Sequence, residues 1–179
     1  DGGHHHPTQT LADLFTIQKE KGELTGLTVG LCGDLRYGRT VHSLIEAMSR
    51  YEGTRFVLIS PPELALPDFV VEKTLRPLGI PYRVSTSLES EIGSLDLLYM
   101  TRVQGERFAD RAEYERLRGA FVLTPEKLAM AKKDTVVLHP LPRVGEISPE
   151  VDSDPRACYF KQAHNGRFVR MALIMKLLG

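Results

Sequence analysis

At 179 residues, with 42% hydrophobic and 26% charged side chains, the chain is long enough for one globular domain with a sizeable core. Its 23 basic and 23 acidic residues balance and are spread along the sequence, which excludes long-range attraction to nucleic acid or to an anionic membrane. No run approaches the roughly 20 apolar residues that cross a bilayer, and with no charged-then-apolar leader in view, export is not expected.

In chain order, the opening Asp1-Gly2-Gly3-His4-His5-His6 invites a metal or affinity-tag reading, but a run of three histidines is short for a tag. After Pro7, the residues Leu11, Leu14 and Phe15 recur at helical spacing, and the helix is expected to run out at Gly22. Leu27 to Leu31 reads as a buried parallel strand. Val41, Leu44, Ile45 and Met48 mark one face of the next helix, and Arg55 to Ser60 the next strand. A helix from Phe69 to Leu78, a weak strand from Pro81 to Ser85 and a short helix from Leu88 to Gly93 follow.

Asp96 to Thr101 is a clear strand, with a polar loop from Arg102 to Asp110 that includes Glu106 and Arg107. Helical stretches near Arg111 to Arg118 and Pro125 to Ala131 lead into a buried strand, Thr135 to His139. A proline-rich loop runs from Pro140 to Pro155. Phe168, Met171, Ala172, Met175 and Leu178 predict a final amphipathic helix, whose start Gly166 obscures. Strands alternating with helices imply a single α/β domain over residues 1–179: a doubly wound, Rossmann-like parallel sheet with helices on both faces. Ligands of such sheets bind beyond the carboxyl ends of the strands. The unusual clusters of this sequence fall there.

His6-Pro7-Thr8-Gln9-Thr10 opens the first helix, with Pro7 suited to the first helical position. A helix start offers N–H groups and partial positive charge to an anionic or carbonyl ligand, and His6 and Gln9 stand where both can face it. A plain capping segment is the competing account. Gly33-Asp34-Leu35-Arg36-Tyr37-Gly38-Arg39-Thr40 joins the first strand to its helix without the G-x-G-x-x-G spacing of a dinucleotide site. Arg39 can grip a carboxylate with two hydrogen bonds while Thr40 adds a hydroxyl; the bland alternative is a surface arginine beside a capping threonine. Thr101-Arg102-Val103-Gln104 follows a buried strand, so Arg102 needs an anionic partner, either a second ligand carboxylate or an internal acid. In His139-Pro140-Leu141-Pro142-Arg143 the prolines stiffen the backbone and hold carbonyl groups in fixed directions, useful for an amide or amine ligand or merely rigid. Cys32 and Cys158 lie far apart without metal-ligand spacing. A buried free thiol at Cys32 and a reducing cytoplasmic setting are expected, with no metal or cofactor.

Taken together and in this order, His-Pro-Thr-Gln-Thr, Gly-Asp-Leu-Arg-Tyr-Gly-Arg-Thr, Tyr-Met-Thr-Arg-Val-Gln and His-Pro-Leu-Pro-Arg resemble the signature segments of aspartate carbamoyltransferase catalytic chains, and the resemblance extends from His6 to the terminal helix. It implies transfer of the carbamoyl group of carbamoyl phosphate to L-aspartate, the step that commits carbon to pyrimidines. It also implies that His6 and Gln9 contact the carbamoyl group, with backbone carbonyls of Leu141 and Pro142 offered to its NH2 group and to the incoming amine. Arg39 and Thr40 would hold the α-carboxylate of aspartate, and Arg102 and Gln104 its side-chain carboxylate. No residue resembles a covalent nucleophile. The family's Ser-Thr-Arg-Thr-Arg segment and lysine loop, which bind phosphate, have no match here, so the chain is expected to be the aspartate-binding half, with a carbamoyl-phosphate domain absent and a homotrimer as the intact enzyme. Ornithine carbamoyltransferase, which usually shows His-Cys-Leu-Pro and a Ser-Met-Gly segment, fits less well. A non-catalytic scaffold domain of the same fold is the alternative from another class.

Overall fold

The computed structural model describes residues 5–105, 108 and 110–179. The stretch Asp1 to His4, with the histidine-run reading that depends on it, and the loop residues Glu106, Arg107 and Ala109 lie outside the described residues. Five parallel strands form one sheet: β1 (Thr28–Cys32), β2 (Arg55–Ile59), β3 (Tyr82–Ser85), β4 (Leu97–Met100) and β5 (Val136–Leu138), in the order β3-β2-β1-β4-β5. Val29 of β1 lies between Phe56 of β2 and Leu97 of β4, and Leu97 pairs with Val136 of β5. The chain therefore steps outward from β1 to β3 and then restarts on the other side of β1. In a sheet wound this way, ligands bind in a crevice beyond the carboxyl ends of the strands at the switch point, here between β1 and β4.

Side chains of a strand alternate between faces, and the core divides accordingly. Val29, Leu31, Phe56, Leu58, Leu97, Tyr99, Val136 and Leu138 pack on one face beneath α1 (Pro7–Lys21) and α2 (Arg39–Met48), against Ile17, Leu44, Ile45 and Met48. Cys32, Val57, Ile59, Leu98, Met100 and Val137 form the other face, covered by Leu88 of α4 (Leu88–Glu91), by Ile92 just after it and by Leu128 of α6 (Pro125–Ala129). Fully burying each such side chain contributes roughly 1.5–3 kcal/mol before conformational entropy is counted. Doubly covered strands explain why β1, β4 and β5 read as continuous apolar runs rather than alternating ones.

Two expected helices differ in the structure. The segment read as one helix from Phe69 to Leu78 is a single α turn, α3 (Asp68–Val70), followed by one π turn, Val71–Leu75, in which the Arg76 N–H donates to the Val71 carbonyl. Pro77 has no N–H to continue the ladder, so regular helix stops there. Three further helical stretches, α4, α5 (Arg111–Leu117) and α6, keep their places, while the last, α7 (Tyr159–Leu178), is longer than expected.

α7 begins well before Gly166 and runs through it. Gly166 is buried beside Ala12 of α1, where a Cβ would make only ordinary contact, 3.5 Å from the Ala12 methyl. The residues of α7 that are buried are Tyr159, Gln162, Asn165 and Gly166. The expected apolar stripe instead faces outward in this chain, from 46% exposure at Phe168 to 83% at Leu178. No described helix is long and apolar enough to cross a membrane.

Candidate functional site

Three chain segments meet at the carboxyl end of the sheet. Leaving β1, Gly33 adopts φ +114°, and a Cβ there would stand 2.4 Å from the Thr101 carbonyl oxygen at the exit of β4. Only glycine lets the two strand ends lie this close. Asp34 then ties the two exits together. Its N–H donates to the Thr101 hydroxyl (2.9 Å), and its buried carboxylate accepts the N–H groups of Tyr37 (2.9 Å) and Gln104 (3.4 Å). Gln104 returns the connection by donating its side-chain amide to the Tyr37 carbonyl at 3.0 Å. Burial pushes the Asp34 carboxyl above its ordinary value, and the N–H bonds from Tyr37 and Gln104 work against that rise. Through this one acid, the loop carrying Arg39 and Thr40 and the loop carrying Arg102 and Gln104 share a side of the crevice.

The start of α1 forms a second wall. His6 is its N-cap and Pro7 its first residue; the His6 carbonyl accepts the N–H groups of Gln9 and Thr10, and the His6 N–H donates to Ser43 of α2 at 2.9 Å. The loop after β5 forms the third. Buried His139 accepts the Leu141 N–H on Nδ1 (2.8 Å), so its proton sits on Nε2, which donates to Glu146 Oε1 at 2.6 Å. Burial alone would raise the Glu146 carboxyl, but the hydrogen bond from His139, together with those from backbone N–H groups, holds the group below its ordinary value. Leu141 sits at φ +42° and the Leu141–Pro142 peptide bond is cis. Arg143, the last residue of that string, is engaged by Asp152 through both guanidinium nitrogens.

All eight side chains singled out from the sequence line one open cleft of about 210 Å³: His6 and Gln9, Arg39 and Thr40, Arg102 and Gln104, Leu141 and Pro142. Gly38, Thr101 and Pro140 complete it. Two larger hollows, of about 530 and 550 Å³, flank α2 and contain neither Arg39 nor Arg102. The cleft thus sets two guanidinium groups beside an imidazole, an amide and a bend of fixed backbone carbonyls. That chemistry suits a ligand with two carboxylates and a neighbouring amide-like group. Among the described residues no cluster of three His, Cys, Asp or Glu stands ready to hold a metal ion. Cys32 and Cys158 are both free and buried; burial pushes the Cys158 thiol up to about 11 and the Cys32 thiol further still.

Sequence reading missed the layer beneath the cleft. Asp13, fully buried on α1, accepts the Gln9 amide at 2.7 Å and the Gln162 amide at 2.6 Å on Oδ1, and the Tyr99 hydroxyl at 3.0 Å on Oδ2. Gln162 in turn accepts the His139 N–H at 2.9 Å. Burial lifts the Asp13 carboxyl from 3.8 to about 6 against the pull of three hydrogen bonds, and lifts the Tyr99 phenol well above 10. One signal was available: Asp13 follows Gln9 by four residues, on one helix face, amid residues that should be apolar. Nothing local marks Gln162 or Glu146.

Comparison with known proteins bears on what this cleft belongs to. A family profile described as Aspartate/ornithine carbamoyltransferase, Asp/Orn binding domain, matches residues 25–177. The chain is 60% identical over 179 residues to the aspartate carbamoyltransferase catalytic subunit of Clostridium novyi and 59% identical to that of Clostridium perfringens. Each alignment takes in the whole of this chain but only 58% of the relative's length. The catalytic subunit of M. jannaschii aspartate transcarbamoylase superposes with a TM-score of 0.91 at 44% identity, over 99% of this chain and 57% of that one. Trypanosoma cruzi aspartate transcarbamoylase, in complex with carbamoyl aspartate and phosphate, superposes with a TM-score of 0.85 at 38% identity, over 97% of this chain and 55% of that one. With profile, sequence and fold in agreement, the chain belongs to the aspartate/ornithine carbamoyltransferase family, as its Asp/Orn-binding domain.

Proposed function

We propose that this chain is the aspartate-binding half of an enzyme that transfers a carbamoyl group from carbamoyl phosphate to L-aspartate, giving N-carbamoyl-L-aspartate and phosphate. The observation that carries the reading is the placement of Arg39 and Arg102 in one cleft with His6, Gln9 and the Leu141–Pro142 bend. Arg39, at the first position of α2 with Thr40 beside it, takes the α-carboxylate of aspartate, where the helix start adds partial positive charge. Arg102 and Gln104 take the side-chain carboxylate. Gln104 Nε2 has two hydrogens, one given to the Tyr37 carbonyl and one left for the ligand.

The amine of aspartate then attacks the carbamoyl carbon, the bond from that carbon to the phosphate oxygen breaks, and the departing phosphate takes the proton that the amine loses. His6 polarises the carbamoyl oxygen, while Gln9 and the carbonyls of Leu141 and Pro142 accept N–H groups. Acceleration comes from positioning the two substrates and from hydrogen bonds that tighten on the charged tetrahedral intermediate. We assign the phosphate-binding groups to a carbamoyl-phosphate domain in the part of the relatives' length that this chain does not span. The intact enzyme in this reading is a cytoplasmic homotrimer, and two buried free thiols fit a reducing compartment. Two arginines in the cleft disfavour the cationic side chain of ornithine.

The test is a chimera in which these 179 residues replace the matching 58% of the Clostridium novyi catalytic subunit. The chimera should form carbamoyl-aspartate, while the chain alone should fold without turning substrate over. Calorimetry on the chimera should detect aspartate in the presence of phosphate, and the bisubstrate phosphonoacetyl-aspartate, but not ornithine. A chimera that prefers ornithine, or one that folds and binds none of these ligands, would refute the reading; the last result would leave the scaffold alternative.

A further inference from the structure

We infer that Asp13 is a positioning residue for the carbamoyl side of the cleft, holding the Gln9 amide and, through Gln162 and His139, the Leu141 backbone as one hydrogen-bonded unit. The inference rests on the reading of Gln9 and Leu141 as carbamoyl contacts. It assigns work to a residue that is buried beneath the cleft and absent from its lining.

The direction of every bond in the unit follows from its fixed ends. The His139 backbone N–H can only donate, so the oxygen of Gln162 faces it and the Gln162 NH2 faces Asp13 Oδ1. The Tyr99 hydroxyl donates to Oδ2. Asp13 is therefore an acceptor on both oxygens, and the Gln9 NH2 is the group that meets it, at 2.7 Å. Turning that NH2 inward leaves the Gln9 carbonyl oxygen for a ligand. A carbamoyl NH2 needs acceptors, and an inverted Gln9 would offer it a second donor instead. On the opposite wall, His139 Nδ1 accepts the Leu141 N–H and Nε2 is tied to Glu146, which holds the bend at Leu141. One carboxylate thus connects the acceptor on α1 to the acceptors after β5. Neither arginine of the proposed aspartate side bonds to Asp13.

The test uses the chimera and the isolated chain in parallel. Asp13→Ala strips both amides of their acceptor, and per folded enzyme it should lower kcat over KM for carbamoyl phosphate about tenfold or more, with the aspartate KM moved by less than about twofold. Asp13→Asn keeps an oxygen for both amides and should stay within about threefold of the unmodified chimera. Because Asp13 acts partly through Gln9, Asp13→Ala and Gln9→Ala combined should lose clearly less than the product of the two single losses, whereas effects that multiply in full would overturn the inference. In the isolated chain, the side-chain amide protons of Gln9 and Gln162 should exchange slowly in proton NMR and speed up together in Asp13→Ala. A Gln9 amide indifferent to that substitution would also overturn it. Should the unmodified chimera form no carbamoyl-aspartate, the proposed function fails, and the amide resonances still decide whether Asp13 holds Gln9.

Discussion

Asp13 also makes the stability of this fold depend on pH in a direction opposite to that of most acids. Its carboxyl has no exposure and titrates near 6 in the folded chain, against 3.8 for an ordinary aspartate. A raised value means the ionised form is penalised on folding. The contribution of Asp13 is therefore intact below 3.8 and is lost as pH rises through about 6. The gap corresponds to about 3 kcal/mol in total, since each tenfold change in proton affinity is worth about 1.4 kcal/mol. Roughly half of that loss falls between about pH 5 and pH 8, because the unfolded chain starts to ionise first. Tyr99, the titratable partner, is pushed too high to ionise in this window. Asp13→Asn keeps an acceptor for Gln9 and Gln162 and never ionises. Urea unfolding of the isolated chain and the variant, from about pH 5 to about pH 8, should show the variant gaining about 1–1.5 kcal/mol relative to the parent. A difference that stays flat across that range would mean Asp13 ionises as freely in the fold as in the unfolded chain.

Arg102→Ala in the chimera should raise the aspartate KM at least about thirtyfold, the lower end of what a broken buried charge pair costs, while carbamoyl-phosphate dependence stays near that of the parent. Arg102→Lys should fall between, keeping charge but losing the two-bond grip; unchanged aspartate dependence in the alanine variant would make Arg102 a structural ion-pair partner. Gly33→Ala should destabilise the isolated chain by more than about 2 kcal/mol, because φ +114° and a Cβ 2.4 Å from the Thr101 carbonyl cannot both be relieved locally; a thermal midpoint within a degree or so of the parent would contradict that. Amide exchange should be fast from Met175 to Leu178, where the side chains are mostly exposed, and slow across Thr28–Cys32 of β1; equal protection would show that the end of α7 is held in the isolated chain.

The α/β class and most elements were legible in the sequence because they rest on local signals. Apolar runs such as Leu97–Met100 declare a strand covered on both faces, and helix starts are marked at Pro7 and Pro125. The cleft residues were legible as well, because chemistry at strand exits leaves short, unusual strings such as Arg39-Thr40 and Arg102-Val103-Gln104. The π turn at Val71–Leu75 was not, since it follows from Pro77 denying one N–H within an otherwise helical pattern. Nor was the outward stripe of α7: periodicity shows that apolar residues share a side, not whether anything covers it.

What the sequence by itself determined was the α/β class and which polar residues stand at the strand ends and helix starts that line the cleft. Tertiary structure alone decided how they are held. Asp13 and Gln162 are 149 positions apart, yet their side chains meet at 2.6 Å. Asp34 and Gln104 are 70 apart, yet one carboxylate binds both strand exits. A buried polar group finds its partner through the packing of distant elements, and its need for that partner is visible only once burial has removed water as the alternative.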